Sequence, residues 1–187
     1  GAKGTLADFT RALLRAIGRG QDAALSVVHR LDRDTSGLIV LARTAEAKRR
    51  LAAQFRAHDI ERVYHAIAHG DVETTTVETM LVVDRGDGLR GSFGHFRRAR
   101  GSAPTDAKQA VTHVERIAAL AGATLVACRL ETGRQHQIRI HLAELGHPLG
   151  GESVYLRDYA GPRIKSPRAM LHAQTLGFVH PRSGERV

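Results

Sequence analysis

One sharp turn between two apolar runs constrains the fold of this chain more than any other segment does. Residues 29–37 read HRLDRDTSG, and apolar residues precede and follow them. Polar turn residues between apolar runs of this length indicate two strands joined by a tight reversal. The turn therefore lifts the carboxylate of Asp32, which stands between Arg30 and Arg33 in the sequence, out of the end of a strand.

The carboxylate of Asp32 is open to two interpretations. Positive charge from the two nearby arginines favours the ionised form, which is the form that nucleophilic attack requires. Alternatively, the turn is an ordinary surface loop whose ion pairs contribute at most about 1 kcal/mol each. Taken alone, the turn favours the surface loop, because carboxylates next to arginines are common in loops. A functional interpretation therefore needs a second, independent segment.

A second polar segment lies far downstream, in residues 131–150. It reads ETGRQHQIRIHLAELGHPLG, and after its Thr-Gly turn it carries the hydrogen-bonding side chains of Arg134, His136, Gln137, Arg139 and His141. A purely structural segment does not need so many donors. We therefore consider this segment together with the Asp32 turn.

The charge of the chain favours a polyanionic partner. Lysine and arginine exceed aspartate and glutamate by 28 − 19 = 9, and all but four of these cations are arginine. Arginine presents a planar fork that pairs bidentately with phosphate and stacks on bases, whereas lysine is a point charge. Aromatic residues make up only 4% of the chain and tryptophan is absent, so a platform of many rings that grips single strands is not expected.

Length and hydropathy set the class of protein. At 187 residues the chain suits a single domain, residues 1–187, with a sizeable core. No apolar run approaches the about 20 residues that a membrane span requires, and no signal peptide is evident, so we expect a cytoplasmic monomer without a membrane partner. The single cysteine, Cys128, cannot form a disulfide within the chain and is expected in the core.

Apolar periodicity and turn residues predict an α+β fold. Helices are expected at 5–17, at 44–55 and near 141–145. Strands are expected at 27–31, 38–42, 62–69, 109–117, 123–131 and 170–179. The strand at 38–42 should be buried on both faces. Short turns join several neighbouring strands, so the sheet should be antiparallel or mixed.

Residues 84–105 form the least regular stretch of the sequence. They are rich in glycine and arginine, with two phenylalanines interleaved, and such a composition is typical of a loop. The loop is either a flexible basic arm that contacts RNA or the solvated tip of a hairpin. The sequence favours neither alternative.

Four segments, all in the same order, strongly resemble the pseudouridine synthases of the RluA type. They are HRLDRDTSGLIVLART at 29–44, RVYHAIAHG at 62–70, TGRQHQIRIHLAELGHPLGG at 132–151 and LHAQTLGFVHPRSGE at 171–185. The resemblance implies a central mixed, largely antiparallel sheet with helices on its flanks and a basic active-site cleft. It implies an RNA pseudouridine synthase, an isomerase that acts on a uridine of ribosomal or transfer RNA with no cofactor and no metal.

Both ends of the chain look cut when compared with that family. Members usually begin with a strand that contains a Lys-Pro pair upstream of Gly1, and usually continue past the His180-Pro181 segment into a tail that contains proline. Neither feature is present in this sequence. Truncation at both ends is therefore the expectation.

The resemblance assigns catalytic roles to three residues. Asp32 matches the catalytic aspartate, and Arg139 matches the arginine that pairs with it and holds it ionised. Tyr64 matches the active-site tyrosine, whose ring stacks on the uracil and whose hydroxyl handles a proton. The structural alternative for Tyr64 is an ordinary core tyrosine on a strand. The family usually has lysine two residues earlier, where this chain has Arg62.

Four further residues are implied to bind the RNA. Ile138 lines the wall of the uracil pocket, and Leu171 packs on the far face of the uracil and excludes water. Arg30 enters the RNA helix when the target base is flipped out, which offsets part of the cost of unstacking. Arg134, just after a glycine turn, is placed for a phosphate.

Two other functions compete with this interpretation. A catalytically inactive RNA-binding module would keep the cleft, but the joint presence of Asp32, Tyr64 and Arg139 argues against it. A His-dependent phosphodiesterase would cleave RNA in a chelator-sensitive way. A metal site is not expected, however, because His136 and His141 are five residues apart and not at the i, i+4 spacing of zinc hydrolases. The shared motifs do not distinguish ribosomal from transfer RNA, since recognition depends on RNA shape and peripheral loops.

Overall fold

The computed structural model describes residues 4–19, 25–95 and 102–187. Within these residues the helices are α1 (Leu6–Ala16), α2 (Ala45–Ala57) and α3 (Gln137–Glu144). The strands are β1 (Ser26–Val27), β2 (Ser36–Gly37), β3 (Leu41–Ala42), β4 (Glu61–His69), β5 (Thr75–Val82), β6 (Gly91–Ser92), β7 (Lys108–Leu120), β8 (Ala123–Leu130) and β9 (Leu171–Gly177). No helix in the described part of the chain is long and apolar enough to cross a membrane.

The described residues divide into two compact units. The first lies within Gly1–Leu31, Leu38–Ile60 and Leu176–Val187, and it includes α1, α2, β1 and β3. The second lies within Asp32–Gly37 and Glu61–Thr175, and it includes α3 and the other strands, apart from the end of β9.

The helices of the first unit begin at threonine caps. The hydroxyl of Thr5 accepts the amide N–H of Asp8, and the Asp8 carboxylate accepts the amide N–H of Thr5, which is a complete capping box for α1. The hydroxyl of Thr44 accepts the amide N–H of Ala47 at the start of α2. The two helices that the sequence predicts for this part of the chain are confirmed.

The strands of the first unit are shorter than the sequence predicts. β1 and β3 pair antiparallel, with Ser26 opposite Ala42 and Val27 opposite Leu41. The prediction of a strand at 38–42 buried on both faces is wrong, since the strand contains only the last two residues of that run. The side chain of Leu38, for example, is 50% exposed. The physical reason is that β1 and β3 pair over only two residues, so residues 38–40 of the apolar run have no partner strand.

A seven-stranded sheet forms the second unit, in the order β2-β9-β4-β8-β7-β5-β6. β2 runs parallel to β9, whereas β4, β8, β7, β5 and β6 are antiparallel to their neighbours in that order. The hairpin predicted for β7 and β8 is confirmed, as is the mixed, largely antiparallel sheet of an α+β protein. β5 was not predicted, because its sequence TTVETMLV begins with polar residues on both faces.

α3 packs on one face of this sheet. Apolar residues of the sheet and of α3 form a common core that includes Ala66, Val114, Val126, Cys128, Ile138, Leu142 and Leu171. Cys128 is buried as predicted, and burial raises the pKa of its thiol to about 12. The helix itself begins at Gln137, four residues before the predicted start near 141.

His141 is the most deeply buried polar side chain of α3. Its ring nitrogens lie 3.0 Å from Oγ1 of Thr79 and 2.9 Å from Oγ1 of Thr112. Burial lowers the pKa of His141 to about 4, so the imidazole is neutral at physiological pH. His141 therefore ties α3 to β5 and β7 through two threonine hydroxyls.

The irregular stretch that the sequence predicts at 84–105 is only partly within the described residues. Residues 84–95 form turns and the short strand β6, so the loop prediction is confirmed for this portion. The Asp84 carboxylate accepts the amide N–H groups of Gly86 and Gly88 at 2.7 and 2.9 Å and so closes a tight turn. Residues 96–101, including Phe96, lie outside the described residues.

Candidate active site

Asp32 opens a turn that is fixed against β9. The carbonyl of Asp32 accepts a backbone hydrogen bond across the turn, and β2 then pairs in parallel with β9. Ser36 Oγ lies 2.9 Å from Nδ1 of His172 on β9. Gly37 has a φ of 114°, and a Cβ at this position would lie 2.3 Å from the carbonyl oxygen of Ala173. Only glycine fits here, and the position of the half-buried Asp32 depends on it.

We expect Gly37→Ala to destabilise the protein strongly. A positive φ costs a side-chain-bearing residue about 1–2 kcal/mol, and the collision with the backbone of β9 adds about 1–3 kcal/mol. Urea unfolding should therefore show a loss of about 3 kcal/mol in the free energy of unfolding. Gly88→Ala is the matched control, because Gly88 has a φ of 81° but nothing within 4 Å of its Cβ position. Equal losses in the two variants would contradict the proposed packing against β9.

Gln137 organises the turn that precedes α3. Its Oε1 accepts hydrogen bonds from Oγ1 of Thr132 at 2.8 Å and from the amide N–H of Arg134 at 3.0 Å. Its Nε2 donates to the carbonyl of Val111 and to Oγ1 of Thr112, both at 2.9 Å. All four hydrogen-bonding capacities of this buried amide are therefore used for structure. Gln137 fixes the first turn of α3 and with it the neighbouring side chains.

Arg139 forms a buried, bidentate ion pair with Glu152. Arg139 Nε donates to Oε2 of Glu152 at 2.8 Å, and Nη2 donates to Oε1 at 2.6 Å. The side chain of Glu152 is fully buried, and its Oε1 also accepts the amide N–H groups of Ser153 and Val154 at 2.9 and 2.8 Å. The ring of Tyr155 packs below the guanidinium, with its centroid 5.3 Å from Cζ of Arg139.

The structure thus differs from the sequence prediction in the partner of Arg139. The prediction pairs Arg139 with Asp32, whereas the ion pair recorded for the described residues is with Glu152. Burial by itself would lower the pKa of Arg139, but the hydrogen bond and charge of Glu152 raise it, and the charge of Asp32 contributes to the increase. Asp32 therefore interacts with Arg139 through charge at longer range. The sequence analysis did not identify Glu152, which directly follows Leu149-Gly150-Gly151 at the end of the segment 132–151.

Tyr64 lies on β4 and also experiences the charge of Asp32. Burial raises the pKa of the Tyr64 hydroxyl, the charge of Asp32 raises it further, and the neighbouring Arg62 opposes this increase. The ring packs against the core that contains Ile138 and Leu171. The structure therefore brings Asp32, Tyr64 and Arg139 into one electrostatic environment, within a single compact unit.

Arg62 is a buried cation beside Tyr64. Its Nη2 donates to the carbonyl of Glu131 at 3.1 Å, and its Nε is buried without a hydrogen-bond partner among the described residues. Gly133 gives it room, because a Cβ there would lie 2.4 Å from Nη1 of Arg62. Burial and the charge of Arg134 both lower the pKa of Arg62. The turn Thr132-Gly133-Arg134 and β4 therefore pack against each other at the guanidinium of Arg62.

His136 contacts the Arg139–Glu152 pair through Tyr155. It precedes α3 in the left-handed conformation, with a φ of 59°, and its Nδ1 lies 2.7 Å from the hydroxyl of Tyr155. Burial lowers the pKa of His136, and so do the positive charges of Arg139 and Arg90, whereas the charges of Asp32 and Glu152 oppose the decrease. Tyr155 was not identified from the sequence. It joins His136 to the Arg139–Glu152 pair.

The other predicted site residues differ in burial. Ile138 and Leu171 are each 4% exposed and belong to the apolar core that meets Tyr64. Arg134 is half-buried, and its Nε donates to the carbonyl of Gln109 at 2.9 Å. Arg30, in contrast, is an exposed residue of the first unit.

Comparison with known proteins identifies related sequences over most of the chain. The family model described as RNA pseudouridylate synthase matches residues 6–144. A protein of Zymomonas mobilis named ribosomal large subunit pseudouridine synthase D is 42% identical over 176 residues, which cover 91% of this chain and 53% of that protein. An uncharacterized RNA pseudouridine synthase of Chloroflexus aurantiacus is 38% identical, covering 97% of this chain and 54% of its own length. The chain spans about half the length of the relatives it matches.

Solved structures with the same fold include two human proteins. Human RNA pseudouridylate synthase domain containing 4 superimposes with a TM-score of 0.76 at 22% identity, covering 100% of this chain and 78% of that one. Human RNA pseudouridylate synthase domain containing 1 gives a TM-score of 0.72 at 24% identity, with coverage of 95% and 71%. At this level of identity the two structures establish similarity of fold.

Proposed function

Because the chain belongs to the RNA pseudouridylate synthase family, we propose that it isomerises uridine to pseudouridine in structured RNA. The observation that carries this proposal is that Asp32, Tyr64 and Arg139 belong to one compact unit, in which Tyr64 packs against the apolar core that contains Ile138, the neighbour of Arg139. An inactive RNA-binding module would not need a carboxylate, a tyrosine and a buried arginine in one place. The proposal includes a monomer that acts in the cytoplasm with no cofactor or metal.

Asp32 supplies the ionised carboxylate that the reaction needs. Pseudouridylation breaks the bond between N1 of uracil and C1′ of the ribose, turns the freed base and joins C5 to C1′, so that the hydrogen on C5 leaves as a proton and N1 acquires one. A nucleophile and a dry pocket that retains the detached uracil are sufficient for this chemistry. In this proposal Arg139 orients the Asp32 carboxylate, while Glu152 keeps the guanidinium in place.

Tyr64, Ile138 and Leu171 form the uracil pocket in this proposal. The Tyr64 ring stacks on the base, and the buried side chains of Ile138 and Leu171 exclude water from it. The raised pKa of Tyr64 keeps its hydroxyl protonated, so in this proposal the hydroxyl donates its proton to N1 of the detached uracil and takes up the proton released from C5 in exchange.

Arg30 and Arg134 contact the RNA outside the uracil pocket. For Arg30 the resemblance is the support: it enters the RNA helix in place of the flipped base and offsets a few kcal/mol of unstacking. For Arg134 the structure offers additional support, since its Nε is fixed on the carbonyl of Gln109 and its outer nitrogens are left for an anion.

We propose large-subunit ribosomal RNA as the substrate, because relatives such as the Zymomonas mobilis protein carry that substrate in their names. The test is to incubate the chain with transcripts of bacterial large-subunit ribosomal RNA and, separately, with transfer RNA. Pseudouridines are then mapped as carbodiimide adducts that stop reverse transcriptase. New stops at one or a few uridines of the ribosomal transcript are expected. Stops only in transfer RNA would contradict the substrate, and no new stops in either RNA would contradict the activity.

A further inference from the structure

We propose that Arg90, Lys108 and Arg134 form a pocket for a phosphate of the RNA strand that carries the target uridine. The inference rests on the proposed function and assigns a binding subsite to it. The three cations line a cavity of about 320 Å³ in the second unit. They come from three separate parts of the chain: the connection before β6, the start of β7 and the turn before α3.

The pocket combines a fixed guanidinium with an apolar floor. Arg134 Nε donates to the carbonyl of Gln109 at 2.9 Å, which orients the planar fork and leaves its two terminal nitrogens for a ligand. Leu81 and Ile140, which are 6% and 0% exposed, line the cavity from the sheet and from α3. Charge-assisted hydrogen bonds made beside such an apolar surface are stronger than those made in bulk water.

The charge balance of the pocket selects an anion. One acidic residue, Asp106, lines the cavity together with the three cations, so the formal charge of these four side chains is positive. The side chains of Arg90 and Lys108 both line this cavity, and neither forms a hydrogen bond or ion pair with another described residue. Arginine forks combined with a lysine are a frequent arrangement at phosphates, and phosphate contacts position a nucleic acid without reading its sequence.

The position of the pocket points to the RNA backbone and not to a free anion. Gly133, Arg134 and Gln135 line the cavity, and the next residue in the chain is His136 of the candidate active site. The charge of Arg90 also acts on the candidate active site, since it contributes to the lowered pKa of His136 and opposes the increase that burial causes in the pKa of Tyr155. A strand whose uracil lies beside Tyr64 would thus bring a neighbouring phosphate to these cations.

The test measures RNA binding by two variants, Arg134→Gln and the double variant Arg90→Gln/Lys108→Gln. We expect the slope of log Kobs against log salt concentration, measured with the large-subunit ribosomal RNA transcript, to become less steep by about 0.7–0.9 for each phosphate that the variant no longer binds. Both variants should bind the RNA more weakly, whereas Asp106→Asn, which removes the one acidic side chain of the pocket, should bind it more tightly. Arg129→Gln is the matched control, because Arg129 is exposed and neighbours the buried Cys128 on β8, so it faces away from α3.

Ethylation interference locates the phosphate that occupies the pocket. Phosphates of the transcript are ethylated with ethylnitrosourea, and those whose ethylation prevents binding are mapped for each protein. The wild-type and Arg129→Gln proteins should share an interference site next to the target uridine, and both pocket variants should lose that site alone. Retention of every interference site and of the full salt slope by both variants would overturn the proposal. Inhibition of turnover by inorganic phosphate that both pocket variants lose, without any change in their RNA binding, would also overturn it.

Failure of this inference can be distinguished from failure of the proposed function. Turnover is measured separately with the wild-type protein, as tritium released from RNA labelled at C5 of uridine. Turnover with unchanged interference in the variants would refute the phosphate pocket and leave the synthase activity intact. Loss of the interference site without any turnover by the wild-type protein would support the pocket and refute the isomerase.

Discussion

Asp32→Asn is expected to lower the rate of tritium release from C5-labelled RNA by at least about a thousandfold, equivalent to about 4 kcal/mol of transition-state stabilisation. The amide keeps the size and the planar shape of the carboxylate, but one acceptor oxygen becomes a donor NH2 and the negative charge that attacks or stabilises the detached sugar is lost. The backbone hydrogen bond that Asp32 accepts across its turn is unaffected by the substitution. The turn and the affinity for RNA should therefore be retained.

Asp34→Asn is the matched control for this experiment. Asp34 lies two residues away in the same turn, is exposed, and undergoes the same change of charge. Single-turnover release with saturating protein separates the chemical step from binding. Near-normal release from the Asp34 variant with no release from the Asp32 variant is the expected result. Undiminished release after Asp32→Asn would refute the assignment of the catalytic carboxylate.

Removing either partner of the Arg139–Glu152 pair is expected to be the most destabilising change in the site. Glu152→Met leaves a buried guanidinium, and Arg139→Met leaves a buried carboxylate, so each should lower the free energy of unfolding by about 3–5 kcal/mol. The double variant Arg139→Met/Glu152→Met should lose far less than the sum, because two apolar side chains can replace a buried ion pair at little cost. Urea unfolding of all four proteins measures this coupling.

Activity separates the two roles of Arg139. If Arg139 acts on Asp32 in addition to pairing with Glu152, the double variant should fold and bind RNA but release tritium very slowly. Arg11→Met serves as a control, since its ion pair with Asp8 is exposed and should contribute far less to stability. A loss of unfolding free energy in the double variant equal to the sum of the two single losses would contradict the buried pair. Full activity in the double variant would contradict the catalytic role of Arg139.

The parts of the fold that follow from local sequence were predictable. Thr5 and Thr44 cap helices in which apolar residues recur at helical spacing, and the apolar pattern of β7 and β8 is interrupted only at a glycine turn. β5 was not predicted because the first residues of the strand are polar on both faces of the sheet. Its burial depends on tertiary interactions, such as the hydrogen bond between Thr79 and His141. The run at 38–42 was assigned to a buried strand on hydropathy, which carries no information on whether a partner ladder exists.

The candidate site likewise contains residues that could be identified from the sequence and residues that could not. Asp32, Tyr64 and Arg139 stand in motifs that can be identified in the sequence, and the structure places all three residues in one compact unit. Glu152 and Tyr155 could not be identified, because their roles depend on the chain returning to Arg139 after α3. A carboxylate becomes the partner of a particular guanidinium only through tertiary structure, and no spacing rule in the sequence encodes that choice.

Tritium release by the wild-type protein is the most direct test of the central claim, that a carboxylate beside a buried arginine detaches uracil and rejoins it through C5. Large-subunit ribosomal RNA labelled with tritium at C5 of uridine is incubated with the protein, and solvent tritium is compared with the pseudouridine formed. The account predicts one tritium released for each pseudouridine. Absence of release from both ribosomal and transfer RNA, with the protein folded and bound to the RNA, would contradict it.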